Sequence, residues 1–347
     1  MTSPDSRTGV LLLNVGTPDA PTPEAVRRYL AEFLGDPRVL DIPAIPRWLL
    51  LNGVILRTRP KQSAHAYQQV WTEGGSPLLV FSRQMETGLQ AALGDRYEVR
   101  LAMSYGNPSI PSAFDHFRSR GIDRIVLFPL YPQYASATTG TSLEACYRLA
   151  SGRWNTPYLS VVPPFYEDAG MIETFAEIGR PILDAMKADH VLFSFHGLPT
   201  RQVRKSDESG GGHCLKSDWS CCATIVHANR NCYRAQCAAT ARALAAKLGL
   251  RDGAWTMTFQ SRLGKEIWVE PYTDVTVEGL PKMGVRRLAA FSPAFVADCL
   301  ETIEEIGMRA KESFLANGGE EFRLIPSLNG HPRWIETAAR LVRSTAP

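Results

Sequence analysis

No run in the chain approaches the roughly 18–20 consecutive apolar residues that a membrane-spanning helix needs, so an integral helical membrane protein is excluded. Neither charge is in surplus. The 38 basic and 35 acidic residues leave a net charge of +3, too small for a nucleic-acid-binding tail or a self-repelling disordered segment. The sequence has no GxxxxGK[ST] phosphate loop, and no GxGxxG follows a predicted strand. Gly210, Gly211 and Gly212 have no strand before them and read as a flexible linker, so nucleotide binding is disfavoured. Met1 to Thr8 is polar, with no apolar stretch ahead of a small-residue cleavage site. No signal peptide is expected, and the cytoplasm is the expected compartment.

What is present is a chain of 347 residues with 44% hydrophobic content, enough for a sizeable core and about two domains. Apolar runs alternate with amphipathic stretches. Val10–Val15, Val99–Met103, Ile125–Leu130 and Tyr158–Val162 read as buried strands, with helices at Pro23–Leu34, Ser109–Arg120 and Thr141–Ala150. After a helix over Ala169–Met186 come strands His190–Phe195, Trp255–Phe259, Arg287–Phe291 and Phe322–Ile325. Between and after them read helices Ala235–Leu248, Thr273–Lys282, Ala294–Arg309 and Pro332–Val342. Continuous apolar strands separated by helices predict α/β architecture: two halves, each a parallel sheet flanked by helices. The halves divide near Pro163–Pro164, giving domains over 8–163 and 164–347. Ligands of open α/β sheets sit beyond the carboxyl ends of strands, so the residues just after strands are the ones to inspect.

Three places offer chemistry. His196 ends a strand ahead of Gly197-Leu198-Pro199, where an imidazole can bind metal, move protons, or simply cap the strand. Asp298, Glu301 and Glu305 fall at i, i+3 and i+7 of the helix expected from Ala294, opposite an apolar stripe of Val296, Leu300, Ile303 and Gly307. Such a row either relays a divalent cation and protons or is an ordinary solvated face with acids near a helix start. Five of the seven cysteines, Cys214, Cys221, Cys222, Cys232 and Cys237, crowd into one segment. In a reducing compartment that favours metal ligation over disulfides. The spacing matches neither paired CxxC zinc sites nor the plant-type ferredoxin pattern, and it leaves zinc and an iron–sulfur cluster both open.

Motifs in a fixed order then carry a resemblance. They are Leu11-Leu12-Leu13-Asn14-Val15-Gly16-Thr17-Pro18, Gly74-Gly75-Ser76-Pro77-Leu78, Tyr105-Gly106-Asn107-Pro108-Ser109-Ile110 and the run from Leu130 to Gly140. Phe193–Pro199, Phe259-Gln260-Ser261-Arg262, Glu270–Asp274 and Ser292–Thr302 follow. Over most of its length the chain resembles the ferrochelatase family. That resemblance implies two similar Rossmann-like domains with a porphyrin cleft between them, and an enzyme, a lyase, that inserts ferrous iron into protoporphyrin IX and releases two protons. It places His196 at the family's catalytic histidine and Glu301 at its partner carboxylate. Asp298 and Glu305 become further acids toward the substrate iron, and Tyr67, Tyr105 and Phe259 become residues lining the porphyrin. A macrocycle clamped in a saddled form would expose its nitrogen lone pairs to metal.

The apolar segment 42–56, bordered by Arg57, Arg59 and Lys61, stands where the family has a lip over the cleft. A core helix and a lip touching the inner face of a membrane are both open readings. Relatives with a [2Fe–2S] cluster often take one ligand from the Tyr134–Gly140 region, which here holds Ser136. The cysteines of segment 207–237 resemble instead an internal-ligand subgroup, with Cys214, Cys221, Cys222 and Cys232 as the ligands and Cys237 as substitute. Monomer and homodimer are both compatible with the family. The competing readings are a non-enzymatic redox sensor or zinc scaffold on the same fold, and a chelatase for another tetrapyrrole or metal.

Overall fold

The computed structural model describes residues 7–262, 264 and 266–346. The chain divides into two compact units. One takes in the chain up to Tyr131, Ser136–Pro163 and the segment from Asn329 onward; the other takes Pro132–Ala135 and Pro164–Leu328. The terminal helix Pro332–Thr345 therefore groups with the first unit, not with the second half of the chain as the simple division at 163/164 assigns it. The cause is its apolar stripe. Trp334, Ile335, Ala338, Leu341 and Val342 are buried, with Trp334 beside Phe128 at 6.4 Å and Ile335 against Gly88.

In the first unit, β1 (Thr8–Thr17), β2 (Tyr97–Gly106), β3 (Arg124–Pro129) and β4 (Tyr158–Val161) form one sheet in the order β2-β1-β3-β4. In the second, β5 (His190–His196), β6 (Trp255–Gln260), β7 (Arg287–Phe291) and β8 (Glu321–Leu324) repeat that order as β6-β5-β7-β8. Every pairing is parallel. Parallel neighbours need crossover helices, which cover both faces of the sheet, and that is why Val10 through Leu13 are all apolar and wholly buried. Leu11, Leu13, Phe114, Phe117 and Leu127 pack one core; Leu192, Leu288, Ile306, Phe314 and Phe322 pack another. Each such side chain, once fully buried, contributes about 2 kcal/mol from removing its apolar surface from water.

Local signals start the helices. Thr22, Ser76, Ser109 and Asp168 each accept a backbone N–H in the first turn of the helix that follows. The helix Pro77–Leu93 is missing from the sequence reading, although Ser76-Pro77 is a cap-and-start signal. At the end of β1, Gly16 has φ of +118°, and a Cβ there would stand 1.9 Å from the Tyr105 carbonyl oxygen. Only glycine lets β1 run this close to β2.

One face of the β5–β6 pair carries a buried polar seam. His190 Nε2 meets Thr256 Oγ1 at 2.9 Å. Further along, Ser194 Oγ donates to Gln260 Oε1 at 2.8 Å, and Thr273 Oγ1 donates to Thr258 Oγ1 at 2.9 Å. Burial lowers the proton affinity of His190. The unfolded chain therefore binds the proton first, and the stability from this group is full above the ordinary histidine value, about 6.5, and lost as the pH falls through it. His190→Gln should abolish that component. The melting-temperature gap between wild type and variant should narrow from about pH 7.5 to about pH 5.5; a constant gap would rule His190 out as its source.

Candidate functional site

His196 stands at the carboxyl edge of the second sheet, half-buried, with the Phe295 ring edge-on at 6.4 Å. Its Nδ1 lies 2.7 Å from the carbonyl oxygen of Gly197. A carbonyl only accepts, so Nδ1 carries the hydrogen, and in the neutral ring Nε2 is left with its lone pair. Gly197 in turn donates its N–H to the Gln260 carbonyl at 2.8 Å, and a Cβ on Gly197 would collide with that same oxygen. The turn after His196 is glycine because β6 lies against it.

Gln260 is paired in register with His196 and is the hub of the site. Its amide oxygen accepts from Ser194, and its Nε2 donates to the Glu301 carbonyl at 2.8 Å and to Glu305 Oε2 at 2.9 Å. The Ser261 hydroxyl also donates to Glu305 Oε2, from a residue held at φ +68°. Non-glycine residues rarely sit in that region, and such strain marks constrained sites. The other Glu305 oxygen accepts from Arg309 at 2.9 Å, and Arg309 also pairs with buried Glu304. The side chains of Gln260, Ser261, Arg262, Glu305 and Arg309, with Phe259, line a cavity of about 710 Å³.

The helix expected from Ala294 is not what forms. Ser292 to Cys299 make turns and irregular backbone, and a π-helix spans Glu301–Ala310. Asp298 therefore does not share a helix face with Glu301 and Glu305. It is buried, accepting from Thr302 Oγ1 at 2.9 Å and from the Ser327 N–H at 3.2 Å. The buried stripe is also different: Thr302, Glu304, Ile306 and Ala310 are buried, while Ile303 and Gly307 are only half-buried. Extrapolating a 3.6-residue period back through Ser292-Pro293 caused both errors, since the wider i→i+5 helix begins later and repeats more slowly. Cys299 is buried, and burial first of all, then the nearby Glu301 carboxylate, holds its thiol protonated.

Tyr67 and Tyr105 belong to the first unit. Both are buried. Tyr67 stands edge-on to Trp71 at 6.0 Å, and Tyr105 donates to Asp36 at 2.9 Å. The segment 42–56 divides in two. Helix Ala44–Leu50 has no buried residue, leaving Ile45 75% and Trp48 64% exposed. Leu51, Ile55 and Leu56 pack with Leu34 in a small core. The first half is thus no core helix. No helix among the described residues is long and apolar enough to cross a membrane.

Cys221, Cys222, Cys232 and Cys237 are buried and Cys214 is partly so. Trp219, at φ +62°, turns the chain sharply into a short 3-10 turn over Ser220–Cys222, and this brings the adjacent Cys221 and Cys222 sulfurs to 3.9 Å. Two sulfurs bound tetrahedrally to one ion at about 2.3 Å would lie about 3.8 Å apart. Cys232 lies close enough to Cys214 to raise the proton affinity of its thiol further, after burial itself, and Asp207 accepts the Cys214 N–H at 2.7 Å, fixing that loop. Among the described residues no three His, Cys, Asp or Glu are grouped so as to hold one metal ion. The thiols come in pairs, and the donor chemistry, including a guanidinium beside Cys221 and Cys222, suits an anionic thiolate-bound centre. Cys237 is wholly buried against Tyr233, and burial holds its thiol protonated. Gln260, Arg309 and Arg234 are absent from the sequence-based site; a polar residue directly after a strand was the one available signal for Gln260.

The ferrochelatase family model matches residues 7–346. A ferrochelatase of Azotobacter vinelandii is 45% identical, over 96% of this chain and 98% of its own. One of Pseudomonas putida is 43% identical over 95% and 97%, and one of Coxiella burnetii 41% over 98% and 94%. Among solved structures, SirB from Bacillus subtilis with Fe3+ superposes with a TM-score of 0.57 at 14% identity, covering 98% of this chain and 96% of that one. The sirohydrochlorin chelatase SirB of subspecies spizizenii, in complex with cobalt, gives 0.54 at 12% identity, over 98% and 95%. At that identity the likeness is one of fold. The full-length match to the family model, together with relatives above 40% identical from end to end, makes the chain a member of the ferrochelatase family.

Proposed function

We propose that His196 is the base in this enzyme's reaction, the insertion of ferrous iron into protoporphyrin to form haem. One observation carries the assignment: the Nδ1–H bond to Gly197 leaves Nε2 as a lone pair at the sheet edge. A free porphyrin must shed two pyrrole protons to take up a dication, and a neutral imidazole with an open ring nitrogen can accept one and pass it on. Glu305, whose carboxylate Gln260 holds, and Glu301, whose backbone carbonyl the same amide holds, are assigned to carry protons away or to bring in the dication. Asp298, its two oxygens already accepting bonds, holds the turn that leads into the π-helix. Within the second unit Phe259, which lines the cavity, is assigned to the macrocycle.

The cysteine segment is assigned to a [2Fe–2S] cluster with Cys214, Cys221, Cys222 and Cys232 as ligands; Cys237 is the substitute. The 3.9 Å separation of the Cys221 and Cys222 sulfurs supports a shared iron. Bound there, the cluster supplies a one-electron couple and a cross-link across a long loop. Exposed Ile45, Trp48 and Leu49, bordered by exposed Arg57, Arg59 and Lys61, support a cytoplasmic enzyme resting on the inner face of a membrane, where its apolar substrate is drawn from.

His196→Ala should lower turnover by about 10²–10⁴-fold with an unchanged melting curve, followed as porphyrin metallation in the visible bands; retained turnover would remove His196 from the role. Gln260→Leu unties Glu305 and the Glu301 carbonyl together and should cut kcat on the order of 10²-fold with little change in porphyrin KM. A matching rise in KM would instead make Gln260 part of the porphyrin site. Protein purified without oxygen should be brown, with iron and acid-labile sulfide in equal amounts, and Cys221→Ser should lose both. Colourless, zinc-containing protein would recast the segment as a zinc site.

A further inference from the structure

We propose that Arg234 is a positioning residue of the cysteine site, whose guanidinium holds the Cys221 and Cys222 sulfurs and raises the electron affinity of the cluster they bind. The proposal rests on the cluster reading above. Arg234 lies in the first turn of the helix Tyr233–Leu248 and is buried, 6% exposed. Its Nε donates to Cys222 Sγ at 3.3 Å, and its Nη2 donates to Cys221 Sγ at 3.2 Å and to the Lys216 carbonyl at 2.8 Å. The guanidinium lies over the Trp219 ring, 4.2 Å from its centroid. Among the described residues no carboxylate forms an ion pair with it.

A buried cation without a counter-ion costs several kcal/mol. Its place at a helix N-terminus adds to the cost, because the backbone dipole there is also positive. The compensating charge has to come from the sulfurs. Cys232, at the N-cap of the same helix, faces the backbone N–H groups of Arg234 and Ala235. Guanidinium and helix start thus aim positive charge at one group of sulfurs. A two-iron, two-sulfide centre on four thiolates is a dianion and becomes more negative on taking up an electron. N–H···S bonds and a neighbouring cation stabilise the reduced form more than the oxidised form, which raises the potential. Trp219 keeps the guanidinium plane in place, and its own ring is stacked on Phe259 at 6.4 Å and 17°.

The test is a redox titration of anaerobically purified wild type, Arg234→Gln and Arg234→Lys. Each takes one electron per cluster from an added reductant and is followed in the visible bands. Iron and sulfide are assayed, and the rate of iron loss to a chelator is measured. Arg234→Gln should shift the midpoint to lower potential and release iron about tenfold faster. Arg234→Lys, which keeps the charge but has no second arm, should fall between. Should the glutamine variant fail to fold, the lysine variant still reads the shift. Full iron and sulfide in Arg234→Gln with an unmoved midpoint would overturn the proposal alone. Wild type without iron or sulfide would overturn it together with the cluster reading.

Discussion

The parallel register of β5 on β6 is the constraint on which the site depends, because it sets His196 opposite Gln260. Strand side chains alternate between faces, so a slip of one residue would present Phe259 where Gln260 now stands. The seam of His190, Ser194, Thr256, Thr258 and Thr273 prevents that slip. Each of these side chains is buried or nearly so and finds its hydrogen-bond partner only in the observed register. An unsatisfied buried hydroxyl or amide costs about 1–3 kcal/mol, so a one-residue slip that orphans several of them at once exceeds what most domains have to spare. The seam contributes little net stability, but it specifies which residues end up at the carboxyl edge.

From that edge the order passes to the π-helix through one amide. Gln260 Nε2 takes both the Glu301 carbonyl and the Glu305 carboxylate, tying the first turn of the helix to β6. The inward residues Thr302, Ile306 and Ala310 recur every fourth position, and Glu301, Glu305 and Arg309 recur with the same step. A four-residue step overshoots one turn of an α-helix but falls short of one turn on the wider i→i+5 winding, so the row leans the other way around the axis. The alignment of the acids therefore follows from the winding of the backbone, and the winding is anchored at its start by Gln260. The four acids nearby are not equivalent. Asp298 holds a turn and Glu304 is buried against Arg309, which leaves Glu305 as the acid whose carboxylate is tied to the end of β6.

Much of this was legible in the sequence for a plain reason. Buried parallel strands must be continuously apolar, so inner strands such as β1, β3 and β5 stand out as short runs between polar segments, while the edge strands β4 and β8 are partly exposed. The position of His196 was legible because it ends such a run, and the cysteine segment because five thiols crowd into one stretch of sequence. What was not legible depends on geometry with no local signature. Nothing in Leu300–Ala310 distinguishes a π-helix from an α-helix, so Asp298 was assigned to a face it does not occupy. The terminal helix reads as a further element of the second half until its Trp334 stripe is seen packed on Phe128. Arg234 reads as one basic residue among many, because burial beside two sulfurs is a tertiary fact.

The cysteine segment and the His196 edge of the second sheet share an aromatic layer. Phe259 immediately precedes Gln260, and Phe195 immediately precedes His196; the two rings meet at 6.3 Å. Trp219 stacks on the Phe259 ring, and Tyr233 tilts against it at 6.5 Å. Trp219 and Tyr233 are also the residues that flank the thiols, one before Cys221 and the other after Cys232. An interior packed to crystal-like density transmits a displaced ring to its neighbours. If the thiols lost their organising partner, Trp219 would lose the guanidinium that holds it, and the first element to feel the change would be the ring next to Gln260. The cysteine segment therefore supports the strand ends that carry Gln260 and His196 through Trp219 and Phe259, without its thiols touching either residue.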